Sequence, residues 1–156
     1  MQSLPDLAPL RRRVAAQSFL ARHAAGVAAE RRAGLVERAL ALIEAPELAP
    51  LFGPGSRAEI PIVATLSRAG GDRAISGRID RLAATAGQVW IADFKTGAAV
   101  VRQDYVRQLA LYRAAVESMF PGLQVRAFLL WIDAGGFEEL PSMTLNKVYR
   151  DWADET

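Results

Sequence analysis

The chain of 156 residues contains no cysteine and a single histidine. Without thiols there is no disulfide framework and no thiolate metal site, so any metal must sit on oxygen or nitrogen. No stretch approaches the ~20 consecutive apolar residues of a membrane-spanning helix. The N-terminal residues MQSLPDLAPL also lack the basic and then apolar order of a secretory signal. Both absences point to the cytoplasm and to no membrane partner. Charge of one sign is scarce as well: 19 basic against 17 acidic side chains leave a net +2, which neither demands nor forbids nucleic acid. Arginines gather at Arg11–Arg13 and Arg31–Arg32, and such clusters read first as solvated helix faces. Missing too is any G-x-G-x-x-G or Walker-type loop after a strand. The segment AGGD (69–72) lies in a hairpin turn rather than at a helix N-terminus, which puts a nucleotide-binding enzyme last among the readings.

What is present suits one domain with a real core: 51% apolar and 23% charged residues in a chain of ordinary domain length. Residues 6–50 are rich in alanine, leucine and arginine, and the spacing of Leu35, Leu40, Leu42 and Ile43 is helical. We expect helices at about 9–24 and 27–45 and a helical turn around Glu47–Leu51, closed by GPGS (53–56). The texture then changes to strands: RAEIPIVATL (57–66), ISGRIDRLA (75–83) and VWIADFKT (89–96), joined by turns into a meander. In RQDYVRQLALYRAAVESMF (102–120), Tyr105, Leu109, Tyr112, Val116 and Phe120 recur at helical spacing until PG stops the helix. QVRAFLLWI (124–132) reads as a buried strand with a GGF turn beyond it, and Thr144–Trp152 as a short helix. The expected architecture is α/β, a central mixed sheet flanked by helices. The whole chain, 1–156, reads as one domain: a helical part at 1–52, a core at 57–132 and a C-terminal extension at 133–156.

The stretch VWIADFKTG (89–97) breaks an apolar strand with an acid and a lysine. Alternation puts Val89, Ile91, Asp93 and Lys95 on one face and Trp90, Ala92 and Phe94 on the other. Alone, Asp-x-Lys reads as a solvated ion pair at a strand end. Asp80, expected at the end of the neighbouring strand in GRID, can converge on Asp93, since adjacent strands run about 5 Å apart. Two carboxylates so close repel unless a proton or a cation lies between them. Hard oxygen donors suit Mg²⁺ or Mn²⁺, and Lys95 beside them can hold a water or a phosphate oxygen. Phosphodiester hydrolysis has these needs: a metal against developing charge and a positioned water.

GRID, then VWIADFKTG, then YVRQLALY resemble the PD-(D/E)xK nuclease superfamily, whose fold is restriction-endonuclease-like. They resemble more closely the C-terminal nuclease domain of RecB/AddA-type helicase–nucleases. The likeness covers residues 57–132, about half the chain. It implies Asp80 and Asp93 as Mg²⁺ or Mn²⁺ ligands with the Phe94 carbonyl as a third, and Lys95 as the catalytic lysine. Gln108 and Tyr112 match its Q-x-x-x-Y element, which contacts the site or the DNA strand. Glu59, an acid on the first strand, is a further candidate ligand. The implied partners are DNA, chiefly single-stranded, the helicase region of a longer chain and a second helicase–nuclease subunit. The implied activity is a Mg²⁺-dependent (exo)deoxyribonuclease in double-strand-break repair. These relatives carry a further metal-binding histidine in a G-x-x-x-H context. His23, in FLARHAAGVAAE, lacks that context and reads as a surface or packing residue. We read the chain as starting downstream of that motif and expect it to be weakly active or inactive in isolation. The competing reading is a catalytically inactive module of the same fold used for DNA binding or subunit docking. Retention of Asp80, Asp93 and Lys95 speaks against it.

Overall fold

In the computed structural model, which describes residues 4–155, the two central strands explain the layering. β3 (Gln88–Lys95) and β4 (Gln124–Trp131) are buried along almost their whole length, so both faces of the sheet need a cover. The sheet order is β1 (Ser56–Leu66), β2 (Arg73–Ala84), β3, β4, β5 (Gly136–Leu140). Strands β1, β2 and β3 form an antiparallel meander, β3 and β4 pair in parallel, and β5 pairs antiparallel with β4. A mixed sheet with helices on both faces results, the α/β, restriction-endonuclease-like architecture expected. Parallel pairing requires a crossover, which α4 (Gln103–Met119) supplies. On its side, Val89 and Ile91 of β3 meet Val106, Leu109 and Val116 of α4 and Leu145 of α5 (Ser142–Asp154). On the opposite side, Trp90 and Ala92 pack with Phe128 of β4. There they meet Leu42 of α2 (Ala29–Glu44), Leu48 of a 3₁₀ turn at Pro46–Leu48, and Leu51 and Phe52 of α3 (Ala49–Phe52). A satellite cluster of Leu4, Ala16, Leu20, Val36 and Leu40 joins α1 (Pro9–His23) to α2. Each fully buried Leu or Val in these clusters contributes about 1.5–3 kcal/mol.

Three departures from the expected elements have local causes. The GGF turn leads into β5, which escapes the sequence pattern because it is five residues long and exposes Phe137, Glu138 and Glu139. The chain also opens with a 3₁₀ turn at Leu4–Asp6. Asp80 does not end its strand, since β2 runs on to Ala84. The expected single domain extends over residues 1–3 and 156, which lie outside the described residues. Among those residues, no helix is long and apolar enough to cross a membrane.

The position of Asp80 comes from how β2 uses its two neighbours. It pairs with β3 only from Ala84↔Val89 to Arg81↔Ala92, while its pairing with β1 continues to Arg73↔Leu66. Asp80 and Asp93 therefore face each other at a fork, where β2 leaves β3 and follows β1 as a two-stranded ribbon. The β1–β2 ladder skips one pair, Glu59 with Asp80, and Glu59 has φ 56°. A left-handed residue of this kind is uncommon outside glycine and marks a local distortion of the strand. The phase of β2 shifts there. Ile79 and Leu82, three residues apart, both pack in the α4-side core, whereas Ala83 is buried in the opposite cluster, which strict alternation cannot do.

Candidate active site

Asp93 and Lys95 occupy the last turns of the β3 pleat, on the face of Ile91 and under α4. Asp93 is 5% exposed. The Lys95 ammonium lies 2.5 Å from Asp93 Oδ2 and donates to Gln108 Oε1 at 3.2 Å. Gln108 Nε2 donates to Asp93 Oδ1 at 3.1 Å, so the amide of Gln108 closes a triangle with both ions. Burying a lone carboxylate would be costly, and the pair with its bridging amide offsets that cost. Lys95 Nζ also lies 4.2 Å from the centroid of the Tyr105 ring. Gln108 and Tyr105, three residues apart, share one face of α4.

Asp80 enters from the fork. Its Oδ2 accepts the backbone N–H of Phe94 at 2.8 Å, immediately past the last β2–β3 ladder pair. Burial pushes its carboxyl above the usual Asp range; the Phe94 amide opposes that, and the charge of Asp93 adds to it. Lys95 acts on Asp80 in the other direction. Asp93 Oδ2 is buried and is met by the Lys95 ammonium at 2.5 Å. A buried carboxylate paired with a lysine, beside a second carboxylate raised chiefly by burial and further by that neighbour, suits a hard divalent cation. No group of three or more His, Cys, Asp or Glu side chains gathers as metal ligands among the described residues.

The other expected residues divide. The Phe94 backbone lies at the fork through its amide, while its side chain packs on the opposite face of the sheet. Glu59 is close enough to raise the Asp80 carboxyl slightly, but its own carboxylate is held by Arg78 at 2.5 Å. Tyr112 lies against β2 at Gly77 and Arg78. It lies one helical turn beyond Gln108, and its hydroxyl accepts the Arg78 N–H at 3.3 Å. Space for it exists because residue 77 is glycine: a Cβ there would stand 2.0 Å from the Tyr112 oxygen. His23 stacks on Phe19, ring centroids 4.2 Å apart, with Nδ1 2.9 Å from the Phe19 carbonyl oxygen, in line with a packing role.

Spacing in the sequence puts Tyr105 beside Gln108 and Tyr112 on one helix face but does not reveal its contact with Lys95. It also misses Asp133, whose Oδ2 accepts the Gly97 N–H at 2.7 Å and ties the loop after Lys95 to the end of β4. Nothing local in the sequence signals that pair, 36 residues apart. An apolar cavity of about 250 Å³ lies behind Phe94 and Ile132, lined also by Phe19, Leu42 and Ile43. It offers no acid or base and is separate from this chemistry.

A solved structure, the crystal structure of SSO0001, aligns at TM-score 0.44 and 17% identity over 96% of this chain and 72% of that one. No curated protein matches the chain. The sequence profile of the PD-(D/E)XK nuclease superfamily matches residues 2–154. By that match, which spans nearly its whole length, the chain belongs to the PD-(D/E)XK nuclease superfamily.

Proposed function

We propose that this chain is a Mg²⁺-dependent DNA nuclease domain (Mn²⁺ serving as well) that hydrolyses phosphodiester bonds of single-stranded DNA. In this reading it works as an exonuclease within a RecB/AddA-type helicase–nuclease, in the cytoplasm, with strand delivery by a helicase region and a second subunit. The finer assignment is supported by the spacing of GRID, VWIADFKTG and YVRQLALY. The observation that carries the nuclease reading is the closed Asp93–Lys95–Gln108 triangle beside Asp80 at the fork.

Asp80 and Asp93 would hold the cation, with the Phe94 carbonyl as a backbone donor and Glu59 reaching it only after leaving Arg78. The bound ion supplies charge neutralisation at the phosphoryl group as the transition state forms. Lys95 holds an oxygen of the scissile phosphate or the attacking water. Gln108 keeps Lys95 and Asp93 in fixed relation, so the ammonium does not swing toward solvent between turnovers. Water attacks phosphorus and gives up a proton to solvent, the bond to the leaving sugar oxygen breaks with its electron pair going to that oxygen, and the oxygen takes up a proton from solvent.

Lys95→Ala separates catalysis from affinity. One lysine among 19 basic side chains adds little to phosphate binding, whereas the reaction needs charge at one point. In the intact parent chain, cleavage of labelled single-stranded DNA should fall by roughly 10²–10³-fold or more, with DNA affinity nearly unchanged. Cleavage that survives Lys95→Ala and Asp93→Ala alike would favour the inactive-module reading and a contaminating nuclease.

A further inference from the structure

We infer that Tyr105 is a positioning residue for Lys95: the face of its ring fixes the direction of the ammonium before substrate arrives. The inference rests on the nuclease reading of Lys95, and it concerns a contact that the motif residues do not include. A lysine side chain is a point charge on a flexible four-carbon stem, so its direction must be imposed by its surroundings. Three groups do so here. Asp93 Oδ2 lies 2.5 Å away, Gln108 Oε1 at 3.2 Å, and the Tyr105 ring centroid at 4.2 Å. The first two fix the donor end of the ammonium, Asp93 from a buried strand position and Gln108 from α4. The ring fixes its side: Tyr105 packs against the α4-side core and cannot follow a lysine that swings outward. A cation over a ring face is drawn to the π-electrons and makes no demand on the hydroxyl. The ring also covers one side of a lysine whose side chain is only 16% exposed, limiting the water that could compete for it. Arg102 lies 5.3 Å from the same ring but is exposed and engages Asp104, so it does not fill the place of Lys95.

The chain has only two lysines, Lys95 and Lys147, so side-chain NMR of lysine-labelled protein reads each one separately. In the metal-free, DNA-free chain, the ε-methylene signal of Lys95 should be shifted upfield of Lys147 by the ring current. Tyr105→Phe should keep that shift, and Tyr105→Leu should abolish it while Lys147 stays in place. In DNA cleavage, Tyr105→Leu should lower kcat by roughly three- to thirty-fold with little change in KM, the size of one cation–π contact. Tyr105→Phe should retain wild-type kcat. The inference is overturned if Lys95 resonates with Lys147 in the wild type, if Tyr105→Phe loses as much kcat as Tyr105→Leu, or if Tyr105→Leu leaves kcat unchanged. Should the intact parent chain cleave no DNA at all, the nuclease reading fails and takes the catalytic part with it, while the NMR arm still decides whether Tyr105 orients Lys95.

Discussion

Asp80 carries the sharpest consequence at the scale of single residues. Burial, with the Asp93 charge adding to it, raises its carboxyl above the ordinary value of 3.8. A group whose folded pKa is raised favours the fold most below its unfolded value, and that contribution is lost as pH rises through the folded value. Ionised Asp80 therefore weakens the metal-free protein at neutral pH. Asp80→Asn keeps an acceptor for the Phe94 N–H and removes the charge. In chelator it should melt above the wild type at pH 7, and the gap should close as pH falls toward about 4. Thermal melts across that range check this; a variant less stable at pH 7 than at pH 4, relative to wild type, would contradict it. Gly77 gives a second test, through packing rather than charge. Its Cβ would meet the Tyr112 hydroxyl at 2.0 Å and the ring at 2.7 Å. Gly77→Ala should cost about 1–3 kcal/mol by overpacking. Pairing it with Tyr112→Ala should cost less than the two single changes added together, measured by urea unfolding, because neighbours in contact are not additive.

At the scale of elements, the ribbon of β1 and β2 needs an anchor where it leaves the sheet, and Arg81 supplies it. Its side chain is fully buried; Nε donates to the Leu51 carbonyl at 3.0 Å and to Ser56 Oγ at 2.8 Å, and Nη2 meets Asp6 at 2.8 Å. One residue after Asp80, it locks β2 to α3, to the start of β1 and to the N-terminal 3₁₀ turn. Arg81→Ala should cost about 1–3 kcal/mol for each buried acceptor left unpaired, before any cavity is counted. Asp6→Asn should cost less than Arg81→Ala, since Asp6 is itself exposed and the Leu51 and Ser56 acceptors still hold the guanidinium. Equal losses in urea unfolding would mean that the ion pair, not the buried anchoring, matters. This element also marks a limit of what the sequence reveals. The face shared by Asp93 and Lys95 follows from alternation alone, and the helix bearing Gln108 from its periodicity. The fork does not, because it depends on where β2 stops pairing with β3, a non-local fact. Nor is the anchoring by Arg81 or the contact of Tyr112 with Arg78 legible, because neither the buried acceptors nor the gap left by Gly77 is visible along the chain.

At the scale of the molecule, the arrangement sets the site at the carboxyl end of the parallel pair β3–β4, where open α/β sheets leave a crevice for ligands. Lys95 is the last residue of β3, and its carbonyl accepts the Ile132 N–H at 3.1 Å, so β4 holds the end of the strand. The helices α1 to α3 close the far face, α4 lays Gln108 and Tyr105 over the near one, and the ribbon brings in Asp80. The layering was legible in sequence, since continuous apolar runs in β3 and β4 require cover on both faces. The short β5 was not, because five residues with three exposed carry no pattern. The central claim is that Asp80 and Asp93 together hold a divalent cation next to Lys95. It is tested most directly by adding Mn²⁺ to the lysine-labelled chain and following the two lysine side-chain signals, since the paramagnetic ion broadens only what lies near it. Selective loss of the Lys95 signal at about one equivalent of Mn²⁺, with Lys147 unchanged and the effect absent in Asp80→Asn and Asp93→Asn, is the expected result. Equal broadening of both lysines, or loss of Lys95 that persists in both variants, would contradict it.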